Sequence, residues 1–234
     1  MSARLYFACT ALSALSLSLP ARAQSEPGRL RLGLRSGFAV PYGRFADVRT
    51  LATFRDTNVH ALSDDIHGAI PIWLDAGYRL TPRLTLGGYA VLGLVLPKVA
   101  PATNPLGGGC PENFDCSGLG WRLGVQAEYR FSTGAVQPWL ALGLGYEWVH
   151  SHIQGRQLMF ELGSWHSGPE FLNVQAGADV PLSSAVAIGP FLALTGMQYT
   201  SCSLELLGQT QPCQLDDKAW HGWISFGARG ALQL

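Results

Sequence analysis

Apolar and polar residues alternate with a period of two in eight separate stretches of this chain. From Arg29 to Val40, Leu30, Leu32, Leu34, Phe38 and Val40 fall on one side, with Arg31, Gly33, Arg35 and Gly37 on the other. The longest unbroken case sets Leu119, Trp121, Leu123, Val125, Ala127, Tyr129 and Phe131 against Gly120, Arg122, Gly124, Gln126, Glu128 and Arg130. Similar patterns cover about 69–80, 84–96, 136–148, 171–180, 185–199 and 220–234. Period two is the signature of a strand. Each stretch is about as long as the 9–11 residues that span a bilayer as a strand. One face is Leu-rich, and the other carries Arg, Glu, Gln and Gly. In hydrocarbon every backbone N–H and C=O needs an internal partner, so strands that span must close on themselves. The pattern therefore predicts an all-β fold, a closed antiparallel up-and-down transmembrane β-barrel of eight strands with its polar face inward. Ten strands remain the alternative if a further hairpin forms at Leu158 to Leu162.

The connections repeat this message. Short links, at Thr81 to Arg83, Ser132 to Ala135 and Pro181 to Ser184, alternate with long ones at about 41–68, 97–118, 149–170 and 200–218. Short periplasmic turns and long outer loops are the asymmetry of outer-membrane barrels, and they place both termini in the periplasm. Tyr78, Tyr129 and Phe131 fall at one end of the strands, and Trp121, Tyr146, Trp148 and Trp220 at the other, as two aromatic girdles require.

Composition sharpens the picture. Only 14% of residues are charged against 47% hydrophobic, where a soluble domain carries about 25% charged. Beyond residue 23 no apolar run reaches the roughly 18 residues of a membrane helix. Residues 1–23 read as a Sec signal peptide, with Arg4, an apolar run from Leu5 to Leu19 and the site Ala21-Arg22-Ala23. Residues 24–234 are then the barrel domain. Cleavage removes Arg4 and Arg22, so 16 basic residues become 14 against 16 acidic ones. That balance gives no reason to expect nucleic acid as a partner. Cys9 leaves with the leader. Cys110, Cys116, Cys202 and Cys213 remain, an even count in an exported chain. The expected disulfides are Cys110–Cys116 and Cys202–Cys213, each inside one connection.

The hairpin Tyr78-Arg79-Leu80-Thr81-Pro82-Arg83-Leu84, the Gly189-Pro190 pair and the terminal Ala231-Leu232-Gln233-Leu234 resemble the small outer-membrane barrels of the OmpA, OmpX and OmpW kind. The resemblance covers about residues 29–234. Its last strand looks like the signal read by the barrel-assembly machinery, although it ends in Leu234 where the family usually has Phe. The resemblance implies a monomer in the outer membrane, with lipid and lipopolysaccharide around it.

Candidate chemistry is sparse. His150 and His152 share one face of a strand, but two imidazoles are too few for a closed metal site. His166, Ser167 and Glu170 lie close in sequence, yet their order does not match a lipid-hydrolysing nucleophile, and solvated loop residues are the better reading. Gly107-Gly108-Gly109 precedes neither a helix nor a Lys, so it forms no phosphate loop. No cofactor is expected. The residues that stand out are the inward charges Arg31, Arg35, Asp75, Arg79, Arg122, Glu128, Arg130, Glu147, Asp179 and Arg229. In an eight-stranded barrel the interior is just wide enough for side chains to fill. Glu128 and Arg229 stand on opposite walls, and Asp75 neighbours Arg31 and Arg35. The expectation is an ion-pair network that plugs the lumen, with separately wetted charges as the alternative. The lumen glycines Gly33, Gly77, Gly87, Gly124, Gly143 and Gly177 then make room for Trp73, Tyr89, Trp139 and Trp223. Function is expected to be structural or surface-interactive through the outer loops, without catalysis. A narrow porin-like passage and a lipid-modifying enzyme are the alternatives.

Overall fold

The computed structural model describes residues 30–44, 48–49, 61–100, 110–111, 114–155, 161–206, 208–215 and 218–234. The expected leader and Gly107 to Gly109 lie outside the described residues, as does Leu158. The strands of the ten-stranded sheet are β1 (Leu30–Gly43), β2 (Ile66–Arg79), β3 (Leu84–Pro97), β4 (Phe114–Arg130), β5 (Gln137–Gly155), β6 (Glu161–Pro181), β7 (Val186–Gln198), β8 (Ser201–Leu206), β9 (Gln209–Pro212) and β10 (Trp220–Gln233). From β1 to β7 each strand pairs antiparallel with the next, β7 pairs with β10, and β10 closes on β1. The eight-stranded barrel is therefore closed, with no unpaired edge exposed to lipid, as hydrocarbon demands. The two additional strands, β8 and β9, form a hairpin that joins β6 outside the closed ring. They arise from 201–212; of the 158–162 segment that the pattern offered for a further hairpin, the described residues 161 and 162 belong to β6.

Alternation sets which side chains leave the water. On β1, Arg31, Arg35 and Ala39 are buried while Leu30, Leu32, Leu34 and Val40 are exposed. Leu123 and Val125 on β4, and Leu140, Leu142 and Leu144 on β5, are likewise exposed. A soluble protein rarely shows so continuous an apolar exterior, and a barrel facing lipid requires it. The short-turn end carries Tyr129 against Phe131, ring centroids 5.3 Å apart. The long-loop end carries Tyr146 against Trp148 at 4.7 Å and Phe171 against Trp220 at 5.5 Å.

One expectation about length is corrected. The segments 97–118 and 149–170 were expected to be connections, but β4 starts at Phe114, β5 runs to Gly155 and β6 begins at Glu161. Beyond the Trp148 girdle the strands continue as a sheet, β4–β5–β6–β8–β9. Sequences such as Ser151-His152-Ile153-Gln154 have no lipid to face there, so the apolar alternation weakens while backbone pairing persists.

Cys110 bonds Cys116 and Cys202 bonds Cys213, each bridge closing a local segment at the long-loop end. Neither crosses the barrel. The variant Cys202→Ser/Cys213→Ser is expected to keep the wild-type unfolding midpoint, while hydrogen exchange over 201–213 speeds up. A drop in barrel stability comparable to the roughly 2–5 kcal/mol of a structural disulfide would contradict this.

The filled lumen as candidate functional site

At the short-turn end two carboxylates gather three guanidiniums. Glu128 on β4 accepts from Arg31 Nη1, from Arg130 Nε at 3.2 Å and from Arg229 Nη2 at 2.5 Å. Asp179 on β6 accepts from Arg31 Nη2 at 2.6 Å and from Trp139 Nε1 at 3.1 Å, with Arg130 Nη2 at 3.5 Å. Strands β10 and β4 stand on opposite walls, so the Glu128–Arg229 pair crosses the axis. Arg79, at the mouth, donates to Gln233 at 2.7 Å.

Further in, Arg35 grips Asp75 with two donors, Nε at 2.8 Å and Nη2, and turns Nη1 to Gln175 at 2.5 Å. Gln126 ties Asp75 at 3.1 Å, and Gln175 ties Gln126 at 3.0 Å. Arg31 therefore does not share Asp75 with Arg35, although sequence adjacency pointed to both. Its guanidinium reaches past Asp75 to Glu128 and Asp179.

Aromatic rings fill the middle. Trp73, Tyr89, Trp139 and Phe191 are all buried. The Arg35 guanidinium lies 4.8 Å from the Trp73 ring, and that of Arg229 lies 4.2 Å from Trp139. A cation over a ring face gains attraction where water is scarce. Above this layer, Tyr89 donates to Glu170 at 2.5 Å, and Arg122 reaches the same carboxylate at 3.3 Å. His221 Nε2 and Glu147 Oε2 stand 3.1 Å apart, with the Tyr199 ring stacked on His221 at 4.0 Å.

All ten inward charges thus face the lumen, nine of them buried and Arg79 half-buried. Glu170 was missed, and the reason is local. The pairing of β5 with β6 shifts register between Gly143 and Gly145, opposite Asn173 and Glu170. Such a bulge reverses which residues point inward. Below it Asn173, Gln175 and Asp179 face the lumen, and above it His166 and Glu170 do, leaving Phe171 and Leu172 both exposed. A strict period-two reading has no signal for this switch. Ordinary strand alternation separates the suspected catalytic neighbours, which are consecutive residues of β6. His166 is buried inside, whereas Ser167 sits on the outer face with its hydroxyl 3.2 Å from the Tyr146 phenol. They do not form a dyad. These residues are strand residues and not the solvated loop they were expected to be.

One small cavity lies among these charges. A cavity of about 20 Å³, lined by Arg31, Asp75, Gln126, Glu128 and Arg229, has room for about one water. Arg229 Nε and Nη1 are buried without a hydrogen-bond partner from the protein. Among the described residues, no three His, Cys, Asp or Glu side chains already converge as a preformed metal centre would.

No family model matches the chain, and no curated protein does. Solved structures do. A major outer-membrane protein from Thermus thermophilus aligns over 87% of this chain and 99% of its own, at 14% identity and a TM-score of 0.52. Neisserial surface protein A aligns over 88% and 97%, at 12% identity and a TM-score of 0.46. The outer-membrane protease OmpT of Escherichia coli also aligns, over 92% and 99%, at 10% identity and a TM-score of 0.38. A fold hosts many functions, so the architecture does not itself decide for or against catalysis. The fold of this chain is that of the small outer-membrane β-barrels.

Proposed function

We propose that this protein is an integral outer-membrane scaffold, closed to solutes, whose role is structural or is exercised by its extracellular surface. The observation that carries the reading is the filled lumen. Charges from β1, β4, β6 and β10 pair across the lumen, Asp75 of β2 pairs with Arg35 on the neighbouring β1, and four aromatic side chains occupy the space between them. Removing charges from water is costly unless each is paired, and a paired set is hard to open. On this reading the termini are periplasmic and the long-loop end is extracellular. No catalysis is assigned, because His166 and Ser167 point to opposite sides of their strand.

Reconstituted in planar bilayers, the refolded protein is expected to give no steady single-channel conductance in molar KCl. Sustained open events would favour the porin-like alternative, with the Arg229 guanidinium lining a wetted path.

A further inference from the structure

Above the aromatic girdle, the outward face of the sheet extension brings together four side chains that the lumen does not use. His150 and His152 alternate onto this face of β5, where Trp165 of β6 stacks on the His150 ring at 4.2 Å. In register, His152 lies opposite Gly163, and Gly163 lies opposite Glu205 of β8. The glycine leaves open the ground between them. A methyl group placed there would meet His150 Nε2 at 3.6 Å and Glu205 Oε2 at 3.7 Å. Glu161 completes the ring, with Oε1 3.7 Å from His152 Nε2. Two imidazoles and two carboxylates therefore surround one small residue on three adjacent strands.

We propose that this ring binds one divalent transition-metal ion of the zinc class. Residues two apart on a strand face the same way about 6.6 Å apart, within reach of a common ligand for two imidazoles. Mixed imidazole and carboxylate donors suit zinc, and with neutral imidazoles the two carboxylates balance its charge. The backbone supplies the arrangement. The His150 and His152 ring centroids stand 6.4 Å apart, so binding draws the side chains inward by rotation about their own bonds. The partly exposed His152 and the exposed Glu161 are free to make that movement, with side chains 31% and 65% accessible. Trp165 holds the His150 ring in place from the side.

The test is isothermal titration of the refolded full-length protein in detergent with ZnCl₂ alone, with CaCl₂ as the comparison. Saturable binding of one zinc per chain is expected, with little calcium binding. His150→Ala and His152→Ala should each weaken it more than about tenfold, a scale that even outer-shell partners reach. Glu205→Gln should weaken it less. His67→Ala, at an exposed position on β2, should leave it unchanged. Circular dichroism and gel heat-modifiability confirm that each variant is folded. Zinc binding that is absent, or equal in His152→Ala and wild type, overturns the site.

Discussion

Replacing Glu128 with Ala is expected to destabilise the barrel by about 3–5 kcal/mol, the cost of breaking a buried pair from one side. The carboxylate accepts from Arg31, Arg130 and Arg229, and all four residues are at most 6% accessible. Its removal leaves three guanidiniums close together with one carboxylate fewer between them. Asp179 alone would then face Arg31, Arg130 and Arg229. Glu128→Gln keeps an acceptor but not the charge and should fall between. Arg83→Ala, in an exposed turn, should stay within about 0.5 kcal/mol. Urea unfolding in lipid vesicles measures all three. A Glu128→Ala barrel that unfolds with wild type would mean that lumen water screens these charges, and the closed-scaffold reading would lose its main support.

The same residues show how far the sequence could be read. Between Leu119 and Phe131 each residue declares its side, because lipid accepts only the apolar set and the narrow interior takes the rest. That requirement also sets the fold, since spanning strands have to close. Which charge meets which was harder to see. Sequence neighbours place Asp75 beside both Arg31 and Arg35, but Arg31 is long enough to cross to other walls, and it does. The reach of flexible side chains across an axis is not written in period two. Nor is the bulge at Gly143 to Gly145, which turned Glu170 inward and enlarged the polar cluster by a member. Past the girdle the signal failed for another reason. The sheet there faces water on its outer side, so nothing forces the apolar alternation that marks the membrane part.

Gly124→Ala is the second change expected to have a large effect, although it adds one methyl group. A Cβ at this position would stand 2.3 Å from both Cζ and the hydroxyl oxygen of Tyr89, and 2.4 Å from the backbone oxygen of Leu144. Tyr89 has little room to retreat. Its hydroxyl is held by Glu170 at 2.5 Å, and its ring centroid lies 5.7 Å from that of Trp73. Methyl groups at Gly143 and Gly145 would likewise come within 3.1 Å and 2.7 Å of the same phenol. The Leu144 oxygen belongs to β5, which pairs with β4 along its whole length, so it moves only if the barrel wall does. Overpacking of this kind costs about 1–3 kcal/mol or more. Gly134→Ala, in a turn where the new methyl would meet only Ser132 Oγ at 3.4 Å, should stay within about 0.5 kcal/mol. Combining Gly124→Ala with Tyr89→Ala removes the ring contact but leaves the carbonyl contact. The double variant should therefore be less destabilised than the two single effects added together, by about 0.5–3 kcal/mol for groups in contact. Strict additivity in urea unfolding would show that the Tyr89 ring does not press on Gly124, and that the lumen is looser than its geometry indicates.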